Sequence, residues 1–415
     1  MKRVVVTGIG ALTPIGNGIN AYLKGLQEGI SGANIITLFD ASNFKTQFAC
    51  ELKDFNVGDY MDVREARRLD RFTVLAVIAA DEAMENSGLD IEKIDPDRAG
   101  VIWGAGIGGL STLEKEVEDY ITGNGTPRYN PFMIPKMIPD IAAGQISIKY
   151  GMRGPNYATV SACASSSHAI AVAADQIRLG RCDIMITGGS EAVITKAAVG
   201  GFNGMKALST RNDDYLTASR PFDVDREGFV LGEGAGALII EELEHAQKRG
   251  ATIYAEIVGY GATADAYHIT APHPEGLGAA NVMRLALADA KLNLEDIDYV
   301  NVHGTSTPLG DIAETLAIQN VFGDHAYKLN ISSTKSMTGH LLGAAGAIEI
   351  LAGILAINHN FVPPTINHFT DDPAIDPRLN LTFNVAQERE IKTVLSNTFG
   401  FGGHNSSVIV KKFED

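Results

Sequence analysis

Short apolar runs rich in Val and Ile recur along the chain, at residues 3–7, 100–103, 183–187, 236–240, 253–258 and 298–302, each bounded by Gly, Asp or Pro. Runs that are apolar at consecutive rather than alternate positions predict strands buried on both faces. Longer stretches with helical spacing lie between them, which indicates an α/β protein whose sheet is covered on both sides. Two helical stretches stand out. Residues 164–179 (ASSSHAIAVAADQIRL) are rich in small side chains and stop at Gly180, and residues 341–357 (LLGAAGAIEILAGILAI) are apolar nearly all round. A helix without a polar face is predicted to be buried, and small side chains let two such helices approach closely. Both are therefore expected at the centre.

Residues 4–13 (VVVTGIGALT) are echoed at 255–264 (AEIVGYGATA), with Gly8-x-Gly10-Ala11 matching Gly259-x-Gly261-Ala262. This reads as a strand running twice into the same Gly-rich turn, hence a duplication with halves 1–252 and 253–415. No Pro- or Ser-rich linker separates them, so they are expected to pack intimately. Gly is abundant, 44 of 415 residues, as crowded backbones or tight turns require.

The formal net charge of −16 argues against nucleic acid as a partner. Three cysteines, Cys50, Cys163 and Cys182, form neither a disulfide framework nor a zinc-ligand spacing, and point to a reducing cytoplasm. The opening MKRVVV imitates a signal peptide. It meets Gly8, Gly10 and Pro14 early with no cleavage site, so it reads as a buried strand. Without a run of about 18 apolar residues, no membrane span is expected.

Cys163, in SACASSS, follows a β-like stretch (156–160) and opens the helical stretch 164–179. A thiol there feels the positive end of the helix dipole, so its pKa is expected to fall and a nucleophile is the reading. His303 directly follows the run 298–302, and His340 directly precedes the apolar helix. Strand ends and helix starts are where α/β proteins place site residues. His268 is read as lining an entrance. Residues 104–109 (GAGIGG) match a dinucleotide-binding fingerprint, but they lie outside the first βαβ unit and lack a following acidic partner. A second Gly-rich run, FGFGGHN at 399–405, offers backbone N–H groups to an oxyanion, or a movable lid.

SACASS around Cys163, HGTSTPLGD from His303, KSMTGHLLGAAG containing Lys335 and His340, and FGFGG at 399–403 occur in one order. Together with SRPFDVDREGFVLGEGAG (219–236), they resemble the β-ketoacyl-acyl-carrier-protein synthases, of the elongating kind in bacterial type II fatty acid synthesis. The resemblance covers essentially the whole chain. It implies a thiolase-like fold, with duplicated α/β halves in five αβαβα layers. It implies a decarboxylating Claisen condensation in which Cys163 holds the acyl chain as a thioester. His303 and His340 would stabilise the enolate left by malonyl decarboxylation, and the N–H groups of Cys163 and Phe401 would form the oxyanion hole. Lys335 becomes a site residue paired with Glu349. Thr305 and Thr307 would bond a phosphopantetheine arm, which arrives on the acyl carrier protein, so no separate cofactor is required. Phe401 and Ile107 correspond to gate residues, Ile107 rotating to admit longer chains. Phe202, His268 and Thr270 join the substrate-binding set.

The resemblance also implies a cation site of Asn301, Glu349, Ser396 and Asn397. Their hard oxygens suit a structural monovalent or divalent ion. Arg64, Arg67, Arg68 and Arg71 lie at helical spacing in VREARRLDRF and, with Arg128 and Lys206, correspond to a docking surface for the acidic carrier. The plainer reading of the arginines is a solvated helix face paired with Glu65 and Asp70. A homodimer is implied, with Phe132 and Met133 near its boundary. Leu309 and His404 depart from the residues common in relatives. A polyketide-type ketosynthase, or a non-catalytic chain-length partner of the same fold, is the alternative. The partner subunit lacks the nucleophile, and a thiolase would need a further cysteine after Cys182.

Overall fold

The computed structural model describes residues 1–414. Ten strands follow one another across its main sheet: β1 (Val4–Thr13), β2 (Ala99–Gly104), β3 (Asn156–Thr159), β4 (Ile184–Glu191), β5 (Gly234–Glu242), β6 (Ala255–Ala264), β7 (Tyr299–Asn301), β8 (Asn330–Ser332), β9 (Thr393–Gly400) and β10 (His404–Lys411). Every apolar run read from the sequence overlaps one of these strands, with residues 3, 183, 253–254, 298 and 302 just outside them. The first half has the spatial order β1-β5-β4-β2-β3 and the second β6-β10-β9-β7-β8. These are the same topology. Each half begins with two antiparallel pairings and ends with two parallel ones. The halves join where β1 and β6 pair antiparallel over Val5↔Glu256 and Val6↔Ala255.

The helices are α1 (Arg71–Ser87), α2 (Ile141–Tyr150), α3 (Ser165–Arg178), α4 (Leu277–Ala290), α5 (Pro308–Phe322) and α6 (Ala345–His359). Helices α1 and α2 cover the outer face of the first half, and α4, with α5 against it, covers the second. Helices α3 and α6 pack against each other between the halves and touch strands of both. The result is five layers, α-β-α-β-α, with the two apolar helices in the middle. Residues 342–359 are apolar and long enough by composition to span a membrane, but 89% of that stretch is buried inside the protein. A short 3-10 turn at Leu342–Ala344 precedes α6, so the predicted helix starts later than its hydrophobicity suggests.

The halves are duplicated, but the echoed glycines do not form the expected turns. Gly8, Gly10, Gly259 and Gly261 lie inside β1 and β6 rather than in turns. A Cβ on Gly10 would stand 2.2 Å from the Ala79 carbonyl oxygen of α1, and one on Gly261 would stand 2.4 Å from that of Val282 in α4. The repeated glycines let an outer helix lie directly on the strand. Both strands also shift register just before the first motif glycine, between Val6 and Gly8 and opposite Ile409/Val410. The N-terminal run is wholly buried, as a core strand must be.

Candidate active site

After β3 the chain turns sharply into α3, and Ala162 takes a left-handed φ of 50°. Ser165 holds the turn. Its hydroxyl donates to the Ala162 carbonyl (2.7 Å) and accepts from the Ser161 N–H (2.9 Å). Cys163 sits on this elbow, buried but lining a cavity of about 670 Å³. Its sulfur lies 3.0 Å from His340 Nε2. The His340 N–H donates to Val230 and its carbonyl accepts from Gly232, so the 230–232 segment fixes the backbone of this histidine. His303 leaves the end of β7, its N–H and that of Gly304 donating to the Glu314 carboxylate at 2.9 and 2.8 Å. The two imidazoles meet edge to face with centroids 5.3 Å apart. One ligand-type atom each from Cys163, His303 and His340 falls within 4.8 Å of the others.

Burial decides the protonation states. It pushes the Cys163 thiol up to about 12, outweighing the Lys335 charge and the Phe401 N–H, which both pull it down. The thiol is raised rather than lowered, because desolvation outweighs the charge and the N–H that favour the thiolate. Burial, reinforced by Lys335, also holds both histidines well below their ordinary value, so both are neutral at pH 7. Each has an Nδ1 that is buried without a hydrogen-bond partner. An orphaned lone pair costs less than an orphaned N–H, so the Nε2–H tautomer is favoured in both. Lys335 and Glu349 form a buried ion pair.

The cavity is lined by Ile107, Phe202, Lys206, Thr270, Thr305 and Thr307, with Leu309 and Phe401 also on its wall. The Thr305 and Thr307 hydroxyls lie 3.1 Å apart. His268 is not on the wall. It is exposed, and its Nδ1 accepts from the Thr270 and Ala271 N–H groups at 3.1 Å, so it shapes the entrance loop instead. That loop touches the 400–403 run, where the Gly402 N–H donates to Ile269 (2.7 Å) and the Asp265 N–H to Gly403 (2.9 Å). Leu309 is 68% exposed at the mouth.

The arginine segment does not form one helix. A short helix ends at Ala66, and α1 starts afresh at Arg71 with Asp70 capping the Phe72 N–H. Arg64, Arg67 and Arg68 are exposed, but Arg71 turns inward and makes two bonds to the buried Glu233 carboxylate, at 2.7 and 2.6 Å. Arg71 is thus a structural cation. Asp70 serves Ser111 and Thr112 rather than the arginines. Arg128 and Lys206 are exposed.

Two carboxylates escaped the sequence reading. Glu314, beneath His303, and Glu191, inside the 104–109 loop, are both fully enclosed, and burial raises each to about 7. Glu191 receives the N–H groups of Gly106, Ile107, Gly108 and Gly343. The fingerprint-like loop therefore does cradle a carboxyl group, and that group is the protein's own side chain. A glutamate ending an apolar strand (GGSE, 188–191) was the available signal.

The beta-ketoacyl synthase N-terminal domain family matches residues 1–246, and the C-terminal domain family matches 254–369. The chain belongs to the β-ketoacyl synthase family. It is 51% identical over 416 residues to 3-oxoacyl-acyl-carrier-protein synthase 2 of Staphylococcus aureus (strain COL), covering 100% of this chain and 99% of that protein. In structure it is similar to the ishigamide ketosynthase/chain length factor, with a TM-score of 0.93, 36% identity and full coverage of both chains. It is also similar to a type II polyketide ketosynthase solved with its acyl-carrier protein, with a TM-score of 0.89, 34% identity and full coverage of both.

Proposed function

We infer that this β-ketoacyl synthase condenses an acyl group from acyl-carrier protein with malonyl-carrier protein, giving 3-oxoacyl-carrier protein and carbon dioxide in fatty acid elongation. The observation that carries this is Cys163 with His340 on its sulfur and His303 beside it, on the wall of a largely apolar-lined cavity of about 670 Å³. A non-catalytic chain-length subunit would lack that sulfur. The 51% relative is a 3-oxoacyl-acyl-carrier-protein synthase, whereas the similar polyketide ketosynthase is 34% identical, which favours fatty acid elongation.

In the first half-reaction the Cys163 sulfur attacks the acyl thioester and the carrier thiol leaves with the proton. The Cys163 and Phe401 N–H groups receive the carbonyl oxyanion, a role supported by the Phe401 N–H already directed at the sulfur. In the second, malonyl decarboxylation leaves an enolate at the thioester oxygen. Neutral His303 and His340 donate Nε2–H to that oxygen. The carbanion then attacks the acyl carbonyl and expels the Cys163 thiolate, which takes a proton from water to restore the resting thiol. Burial, with the Lys335 charge held by Glu349 adding to it, keeps both imidazoles unprotonated. Thr305 and Thr307 bond the pantetheine amides, while Phe202 and Thr270 line its path.

The proposed cation site fits three of its four residues. Asn301 and Ser396 are partners on adjacent strands. Asn301 Oδ1, Ser396 Oγ and Glu349 Oε2 are all buried without a hydrogen bond. Asn397 uses its side-chain oxygen to accept from Ser407 at 2.6 Å, so it contributes least. A bound cation would neutralise the carboxylate oxygen that Lys335 leaves free.

Arg64, Arg67, Arg68, Arg128 and Lys206 are proposed to dock the carrier. A homodimer is supported by the edge strand β3, where Tyr157 is exposed, by exposed Val160 just beyond it, and by exposed Phe132 and Ile134; Met133 is half-buried there. We place the boundary of the halves at 252/253, in the link between β5 and β6, and the protein in the cytoplasm.

Intact mass after incubation with medium-chain acyl-carrier protein tests the reading. An acyl adduct on the wild type, absent from Cys163→Ala and discharged by malonyl-carrier protein into extended product, is expected. A folded wild type that takes no adduct would overturn it.

A further inference from the structure

The condensation accounts for the groups facing the cavity but leaves Glu191 without a role. Its carboxylate is fully buried, and no side chain pairs with it among the described residues. Four backbone N–H groups surround it instead: Gly106 at 2.8 Å, Ile107 at 3.2 Å, Gly108 at 3.1 Å and, from the chain just after His340, Gly343 at 3.0 Å. Glycine is required on both sides. A Cβ on Gly106 would stand 2.6 Å from Glu191 Oε2, and one on Gly343 would stand 2.2 Å from the Gly106 nitrogen. Two separate segments thus close directly on one carboxylate.

What these segments carry is informative. Ile107 and Leu342 both line the acyl cavity, and Leu342 follows His340 by two residues. The Ile107 main chain is held, yet its side chain is 38% exposed and so has room to rotate. Isoleucine is stiff at χ1, and which rotamer it prefers is set by its backbone φ and ψ. Fixing the backbone therefore fixes the balance between rotamers.

We propose that Glu191 is a positioning residue for acyl-chain selectivity, the anchor that holds the Ile107 backbone and ties it to the segment carrying His340. This rests on the reading of Ile107 as the gate for longer chains. Glu191 touches no reacting atom. It sets the rotamer balance of the gate, while the His340 backbone keeps its own bonds to Val230 and Gly232.

The test compares wild type, Glu191→Gln and Ile107→Ala, measuring acyl-Cys163 formation by intact mass with eight-carbon and sixteen-carbon acyl-carrier proteins. Glutamine keeps the shape but turns one acceptor into a donor facing N–H groups. The long-to-short rate ratio is expected to change by about tenfold, the weight of one hydrogen bond to a charged acceptor. The eight-carbon rate should stay within about twofold, which a general loss of structure would not allow. An unchanged ratio in Glu191→Gln, beside a changed one in Ile107→Ala, would overturn the anchor and leave the gate standing. An unchanged ratio in Ile107→Ala would remove the gate and the proposal with it. Hydrogen exchange on the wild type covers a Gln variant that does not fold. The amides of 106–108 and 343 should remain protected after long-chain acylation, and their loss of protection would refute a fixed backbone beneath a moving side chain.

Discussion

Reversing Arg67 and Arg68 together to Glu separates docking from chemistry. Both guanidinium groups are exposed, and neither has a carboxylate partner among the described ion pairs. Arg68 lies over the Phe132 ring at 6.0 Å, and the Arg67 carbonyl accepts from Lys136 at 3.4 Å, so the segment is anchored while its charges face solvent. A carrier carboxylate about 7 Å from each charge would gain about 0.6 kcal/mol in water. Reversal swings each interaction by twice that. The two sites together then cost about 2.4 kcal/mol, a rise of about 50-fold in the KM for carrier substrates at low salt. At physiological ionic strength the Debye length of about 8 Å reduces this to about fivefold. The assay is steady-state condensation with acyl-carrier protein beside acyl transfer from a small thioester, at two salt concentrations. The kcat and the small-thioester rate should not change. Equal loss on both substrates, or a salt-independent effect, would refute the docking argument. Arg71→Gln gives the contrast. It leaves the buried Glu233 charge without its partner, so it should lower stability by about 3 kcal/mol rather than raise KM selectively.

Alkylation of Cys163 by iodoacetamide should accelerate about tenfold per pH unit from pH 6 to pH 9 without a plateau, because burial keeps the thiol protonated and the thiolate is the nucleophile. A plateau below pH 8 would show that the helix dipole prevails after all. Gly261→Ala forces a methyl to within 2.4 Å of the Val282 carbonyl oxygen and should cost about 3 kcal/mol in denaturant unfolding. Gly201→Ala, where an added Cβ meets nothing, should be neutral or stabilising, and similar losses in the two would overturn the close-packing explanation. Adding a binding cation to chelator-treated protein should raise its Tm, and Asn301→Ala should abolish that rise. No response to sodium, potassium, magnesium or calcium would exclude the site.

Seven of the ten strands, the two central helices, the duplication and the order of the chemical groups were legible in the chain, whereas β8, β9 and β10 were not and 399–405, read as a loop, spans the end of β9 and the start of β10. The legible features follow from local facts: apolar periodicity, small residues at helical spacing, and residue types at strand ends and helix starts. Cys163, His303, His340 and the Lys335–Glu349 pair were legible because their motifs announce them. Whatever depends on groups distant in sequence was decided by the tertiary structure. Arg71 looks like its arginine neighbours until Glu233, from the other side of the fold, draws it inward. The repeated glycines look like turns until α1 and α4 are laid on β1 and β6. His268 reads as lining an entrance, and only the fold shows that its Nδ1 is taken up by the Thr270 and Ala271 N–H groups of its own loop rather than offered to a substrate. The protonation of Cys163 is the clearest case. The dipole acts within one turn and can be read from the chain, but desolvation is the work of every element packed around the sulfur, and it raises the thiol.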